Sequence, residues 1–177
     1  MSMSRSRIYP LLTQSQIQER VVELGAQLAE DYAGKDLVVI GLLNGVYQFF
    51  SDLTRNTDLD FEISFLQVAS YGGGTESTGE VKILHDLDRS IRGRHALIVE
   101  DIIDTGLTLS KVRKLLLDRE PASLKICSLL DKPSRRRVEV PADYVGFAIE
   151  DHFVVGYGLD LDGKYRNLPY VGIYNPA

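Results

Sequence analysis

The chain has a single cysteine and no tryptophan. With Cys127 alone no internal disulfide can form, so a reducing compartment is its natural setting. Cys127 lies in the apolar run Ile126-Cys127-Ser128-Leu129-Leu130, where an inert core thiol is expected. Long hydrophobic runs are missing too. Nowhere do about 18 apolar residues follow one another, which excludes an ordinary membrane-spanning helix. The polar, basic stretch Met1 to Arg7 is not followed by the apolar region of a secretory signal. Nor is positive charge in excess: 20 basic residues face 25 acidic ones, a net charge of −5. That balance argues against general affinity for nucleic acid or anionic membranes. The only dense basic run, Arg135-Arg136-Arg137, reads as a solvated face. Two familiar phosphate motifs are also absent, GxxxxGK[ST] and GxGxxG. His85, His95 and His152 show no metal-ligand spacing with one another or with Cys127 and are assigned no role. These absences leave a cytoplasmic protein without nucleic-acid or membrane partners.

What is present is ordinary for a folded chain: 44% of the 177 residues are apolar and 25% charged. No repeat or linker divides the sequence, so one domain over 1–177 is expected. Between Thr13 and Tyr32, Ile17, Val21, Leu24 and Leu28 mark one face of a helix, with Thr13 and Gln16 as a capping pair. Leu37 to Ile40 is a strand buried on both faces, and Val46 to Leu53 reads as a helix. Strand character recurs at Phe61–Ala69, Val81–Leu84 and Ala96–Val99, before a helix over Leu107–Asp118. Further strands are expected at Leu124–Leu130, Tyr144–Ile149 and Phe153–Tyr157. Strands alternating with helices predict an α/β fold, a mostly parallel twisted sheet flanked by helices. In such sheets ligands bind beyond the carboxyl ends of the strands, and the polar residues collect there.

The most informative of these places is Leu97 to Thr108. A buried strand runs into the adjacent carboxylates Glu100 and Asp101, then Asp104, then a small-residue turn that opens a helix. Thr105, Gly106 and Thr108 bring hydroxyls and backbone N–H groups to a helix N-terminus, which suits a phosphate. Carboxylates beside a phosphate would repel it, whereas ribose hydroxyls or a magnesium shell would reconcile the two. A sugar phosphate therefore fits better than a bare phosphate. An ordinary strand-to-helix turn capped by Asp104 would account for one acid but not three. Leu42-Leu43-Asn44-Gly45, also between a strand and a helix, is a second cradle of backbone N–H groups. Tyr71 to Gly79 contains three successive glycines among small polar residues and reads as a mobile loop.

The run Val99-Glu100-Asp101-Ile102-Ile103-Asp104-Thr105-Gly106-Leu107-Thr108 resembles the phosphoribosyl pyrophosphate signature of the type I phosphoribosyltransferases. Four further segments resemble the hypoxanthine-guanine branch of that family: Gly41–Asp52, Ser70-Tyr71 with its loop, Leu129-Leu130-Asp131-Lys132-Pro133, and Phe153–Asp160. The resemblance covers about Ile8 to Tyr174 and implies the family's fold, with a small C-terminal hood region. It implies that phosphoribosyl pyrophosphate is held by Leu43, Asn44, Gly45, Glu100, Asp101, Asp104, Thr105, Gly106, Leu107, Thr108 and Arg166. A cis peptide is implied between Leu43 and Asn44, where many relatives carry Lys in place of Asn44. Ser70 and Tyr71 would belong to a lid over the reaction. Lys132 would donate to the 6-oxo group of the purine, Phe153 would stack on its ring, and Val154 would offer backbone groups to its edge. Asp160 would lie beside the purine and, with Glu100 and Asp101, ligand Mg2+.

Taken together, the resemblance implies purine salvage: hypoxanthine or guanine displaces pyrophosphate from phosphoribosyl pyrophosphate, with Asp104 as general base. A homodimer or homotetramer is the family's expectation. Two other readings stand beside it. One is a transferase preferring xanthine or guanine, which Lys132 does not exclude because xanthine also has a 6-oxo group. The other is a transcriptional regulator that senses phosphoribosyl pyrophosphate on the same fold. The negative charge and the retained Asp104 and Lys132 weigh against the regulator.

Overall fold

The computed structural model describes residues 7–70 and 81–176, with the side chain of Ser70 left out. Ser70's side chain and the Tyr71–Glu80 segment, read above as the lid, therefore lie outside the described residues.

A six-stranded sheet forms the centre. Its strands are β2 (Leu37–Leu42), β3 (Glu62–Ser70), β4 (Val81–His85), β5 (His95–Ile103), β6 (Ser123–Asp131) and β7 (Tyr144–Ala148). The spatial order is β4-β3-β2-β5-β6-β7. Every pairing is parallel except that of β4, which runs antiparallel along β3 at one edge.

All six residues of β2 are buried, and their period of two divides them between two cores. Leu37 and Val39 face α1 (Gln14–Asp31) and α2 (Tyr47–Arg55), while Val38, Ile40 and Leu42 face α3 (Leu107–Leu117). β5 repeats the division, with Leu97 and Val99 on the first side and Ala96 and Ile98 on the second. Helices thus cover both faces of a mostly parallel sheet, as the alternating pattern predicts.

α1 starts where expected. Thr13 Oγ1 accepts from the N–H of Gln16 at 3.2 Å, and Gln16 Oε1 accepts from the N–H of Thr13 at 2.9 Å, a complete capping box. The helix buries Ile17, Val21, Leu24 and Leu28, each contributing about 1.5–3 kcal/mol relative to exposure. Cys127 is fully buried in the same core, and burial pushes its thiol up to about 12. It is inert, in line with its apolar surroundings.

A second, antiparallel sheet stands over the carboxyl ends of the first. Its order is β1-β9-β8, from β1 (Ile8–Leu12), β9 (Val171–Tyr174) and β8 (Val154–Val155). This is the hood, and it draws one strand from the start of the chain as well as two from the end. Neither β1 nor β9 was legible as a strand. β1 holds Pro10, which a central strand would not tolerate, and its mixed burial blurs the alternation. β8 is shorter than the Phe153–Tyr157 reading because the chain turns at once: Gly156, Tyr157 and Gly158 all have positive φ.

Candidate active site

At the carboxyl end of the sheet β5 carries Glu100 and Asp101 out of the core, and the chain then turns through Asp104, Thr105 and Gly106 into α3. Gly106 has φ 81° and caps the helix without a side chain of its own, Leu107 donates its N–H to Thr105 Oγ1 at 3.4 Å, and a hollow of about 140 Å³ lies at the start of the helix. Residues Glu100 and Ile102 to Leu109 line it. A helix N-terminus open in this way suits an anion.

Beside it lies an open cleft of about 250 Å³ shared by Leu42 to Gly45, Val68, Glu100, Asp101, Thr108, Asp160 and Arg166. Segments from β2, β5, α3 and the hood thus meet in one place. The Leu43–Asn44 peptide is cis. Leu43 donates its N–H to the carbonyl of Leu66 at 3.0 Å, and Asn44 Oδ1 accepts from Gln67 Nε2 at 3.2 Å. Gly45 is needed for a steric reason: a Cβ there would overlap the Asp101 carboxylate, and one on Gly158 would overlap the Gly45 carbonyl oxygen. Gly45 is packed between the two, and no side chain fits.

Arg166 is held at both ends. Its Nη1 donates to the carbonyl of Gly158 at 2.7 Å, and its own carbonyl accepts from Gln48 Nε2 at 2.6 Å. Its Nη2 is 3.3 Å from Asp160 Oδ1, while Asp160 Oδ2 accepts from the N–H of Gly163 at 2.8 Å. The guanidinium is thereby fixed facing the cleft, where a fork of donors suits phosphate oxygens.

Burial, and then the charge of Asp101 beside it, push the Glu100 carboxyl well above its ordinary range. Asp101 is raised as well, chiefly by burial, with the N–H of Ile102 and the charge of Arg166 pulling the other way. Two adjacent part-buried carboxylates repel one another, and a divalent cation or hydroxyl donors would relieve them. Among the described residues no three His, Cys, Asp or Glu side chains form a ready-made metal cage. Glu100, Asp101 and Asp160 line one cleft without converging on one point. That arrangement fits magnesium, which binds through one or two carboxylates together with water and substrate phosphates.

The residues expected at the purine lie to one side. Lys132 follows β6, with its N–H bonded to the carbonyl of Ile103 at 2.9 Å, and is only 6% exposed. A buried ammonium of this kind is not an ordinary surface lysine. Its Nζ is 3.5 Å from Asp151 Oδ1. Phe153 is the reverse, an aromatic ring 52% exposed that meets the Tyr174 ring at a steep angle, while Val154 next to it is buried in β8. Plain core would bury Phe153. Asp104 is half-exposed and accepts from Arg135 Nε at 3.1 Å.

One expectation holds only in part. Arg135 and Arg137 are exposed, but Arg136 is largely covered and the run is tied to the site. Arg136 pairs closely with Asp131 and donates through Nη1 to the carbonyl of Asp104 at 2.9 Å. Arg137 donates its N–H to the carbonyl of Thr105 at 2.9 Å. The segment folds back over the turn that opens α3, because Pro133–Arg135 forms a single 3-10 turn. Charge composition alone could not reveal this. The available signal is the position of the run one residue after Lys132-Pro133. Gln67 and Asp151 support the site from outside any motif, while Gln48 and Asp131 lie within segments of the family resemblance that assign them no role.

Comparison with known proteins agrees with this geometry. The family model described as the phosphoribosyl transferase domain matches residues 11–162. Hypoxanthine phosphoribosyltransferase of Escherichia coli strain K12 is 53% identical over 164 residues, covering 92% of each chain. Hypoxanthine-guanine phosphoribosyltransferase of Staphylococcus aureus strain Mu50 is 53% identical over 166 residues, covering 94% of this chain and 93% of its own. A crystal structure of a hypoxanthine phosphoribosyltransferase from Staphylococcus aureus superposes with a TM-score of 0.94 at 50% identity, covering 99% of this chain and 97% of the other.

Proposed function

The chain belongs to the phosphoribosyl transferase domain family, and from that premise we propose how its residues divide the work of purine salvage. It is a phosphoribosyltransferase that converts hypoxanthine, and guanine, with phosphoribosyl pyrophosphate to the nucleotide and pyrophosphate. The observation that carries the assignment is the single cleft in which the acidic pair Glu100 and Asp101, the Asn44-Gly45 backbone and Arg166 face one another. Ribose hydroxyls need acceptors and a diphosphate needs donors, and here both sets border the same space.

In this reading the turn that opens α3, Thr105 to Thr108, takes the 5′-phosphate. The backbone of Leu43, Asn44 and Gly45, with Arg166, takes the pyrophosphate. Glu100, Asp101 and Asp160 would hold magnesium, which when bound neutralises charge on the leaving group. Phe153 stacks on the purine, the Val154 backbone meets its edge, and Lys132 donates to the 6-oxo oxygen. N9 of the purine forms its bond to the anomeric carbon as the carbon–oxygen bond to pyrophosphate breaks, and the electron pair leaves with pyrophosphate. The proton on the purine ring nitrogen passes to Asp104. Lys132 also rejects adenine, whose 6-amino group sets a donor against a buried donor; such mismatches discriminate strongly. Ser70 and Tyr71 are assigned to a lid that excludes water from the developing positive charge on the ribose. The protein acts in the cytoplasm, and assembly as a homodimer or homotetramer follows from the family resemblance.

A steady-state ultraviolet assay tests the assignment, offering hypoxanthine, guanine, xanthine and adenine separately with phosphoribosyl pyrophosphate and magnesium. Turnover of hypoxanthine and guanine without adenine is the expected result. Preference for xanthine would move the specificity, and no turnover with any base, despite binding of phosphoribosyl pyrophosphate, would replace the enzyme with a sensor.

A further inference from the structure

The reaction above uses none of the basic run, and Arg135 is the member of it whose side chain reaches Asp104. The turn Pro133–Arg135 begins at Lys132 and carries the Arg135 side chain back across the purine side of the site. Its Nε donates to Asp104 Oδ1 at 3.1 Å, and its Nη1 lies 3.7 Å from Asp151 Oδ2. The other oxygen of Asp151 lies 3.5 Å from Lys132 Nζ. Charges alternate along this chain: Asp104, Arg135, Asp151, Lys132. Its two ends are the groups assigned to the purine's ring nitrogen and to its 6-oxo oxygen. Its two middle members lie between them.

Each end benefits from its neighbour. Lys132 has its side chain 8% exposed, and an ammonium so buried is costly without a carboxylate near it. At 3.5 Å Asp151 compensates its charge without a close hydrogen bond, so donors remain for a carbonyl oxygen. The Asp104 carboxylate has lone pairs enough to keep Arg135 and also accept from a purine N–H. Arg135 can serve both carboxylates at once because its nitrogens are spread over a rigid planar fork. A compact ammonium at that position would not span them.

We propose that Arg135 and Asp151 are positioning residues, an ion pair that holds Asp104 and Lys132 at the spacing a 6-oxopurine requires. The proposal rests on the reaction assigned above and adds to it. Arg135 and Asp151 touch neither reactant in this account; each acts through the residue it holds.

Initial rates of the full chain, with hypoxanthine and phosphoribosyl pyrophosphate varied in turn, separate the possibilities. The variants are Arg135→Ala, Arg135→Lys, Asp151→Asn and the double variant of Arg135→Ala with Asp151→Asn. Arg135→Ala should lower kcat/KM for hypoxanthine about tenfold while KM for phosphoribosyl pyrophosphate stays within about twofold. Arg135→Lys should recover part of the loss. Asp151→Asn should chiefly raise KM for hypoxanthine, about three- to fivefold, and the double variant should be no worse than about the weaker single one, since both act in one chain. Both side chains are about half exposed, at 43% and 51%, so thermal midpoints should hold. Hypoxanthine kinetics within about twofold of wild type in both single variants would overturn the proposal. So would losses that multiply in the double variant. A wild-type protein with no turnover overturns the assigned reaction itself, whereas an active wild type with unchanged variants overturns the positioning pair alone.

Discussion

Around Gly45 the site is made by backbone approaching backbone, whereas around Asp104 and Lys132 it is made by the tips of side chains. On the phosphate side a carbonyl, a carboxylate and three chain segments pack so closely that Gly45 and Gly158 admit no Cβ. On the purine side Arg135, Asp151 and Lys132 meet only through side-chain charges 3.5–3.7 Å apart. Backbone subsites tolerate exchange of side chains and fail on added bulk. Side-chain subsites behave the other way. The two halves therefore predict different kinetic signatures for substitutions of similar size.

The largest effect is expected at Asp104. Asp104→Asn keeps shape and loses the proton acceptor, so kcat should fall by about 10²–10⁴. Binding of phosphoribosyl pyrophosphate, measured by calorimetry, should change little, and so should the thermal midpoint. Wild-type turnover in this variant would remove Asp104 from the role of general base. Gly45→Ala should come next and show the opposite signature. The added methyl would displace the Asp101 carboxylate, which is fixed by the N–H of Ile102 at 2.7 Å. A misplaced subsite of this kind costs about 10²-fold, here with KM for phosphoribosyl pyrophosphate rising most. Equal effects on both substrates would erase the distinction between the halves.

The same contrast explains what was legible in the sequence. Backbone subsites leave compact local marks, because the glycines and carboxylates that make them sit side by side in one strand-loop-helix. Val99 to Thr108 could thus be read as a sugar-phosphate site from the residues alone, and the central strands from their apolar runs. The proposed purine side rests on Asp104, Lys132 and Asp151, which three different loops bring together through Arg135. No spacing announces that meeting. Lys132 and Phe153 are implied only by resemblance, and the pairing of Arg135 with Asp104 and of Arg136 with Asp131 has no local mark, because charge in a row is a property of composition, while the turn at Pro133 is a property of the fold. The hood was half legible for a related reason: β1 and β9 pair across almost the whole chain length, and neither has a strong period of its own.

A smaller effect concerns stability. Both members of the acidic pair have folded-state pKa values above their ordinary ones. The folded protein therefore holds protons more tightly than the unfolded chain, and stability must fall as pH rises from the ordinary carboxylate range through the raised values. In the presence of a chelator, Glu100→Gln should flatten that slope. It should also raise the thermal midpoint near neutral pH by about 2–4 °C, which corresponds to about 1 kcal/mol in a chain of this size. Activity should fall in the same variant, since function and stability make opposite demands on the pair. A lowered midpoint would mean that Glu100 is held by favourable contacts that outweigh its repulsion from Asp101.

The smallest effect is the sharpest test of the backbone reading, and it lies at Asn44. A Lys at this position would place a charge near the proposed pyrophosphate subsite, whereas the Asn44 side chain is turned to Gln67. If the loop binds through its N–H groups, the side chain only steadies it. Asn44→Ala should then change KM for phosphoribosyl pyrophosphate by no more than about threefold, the scale of one exposed neutral hydrogen bond. Asn44→Lys should tighten pyrophosphate binding at low salt and lose that gain as salt screens it. A loss of tenfold or more in Asn44→Ala would show that the amide itself meets the ligand, and the phosphate half would then resemble the purine half after all.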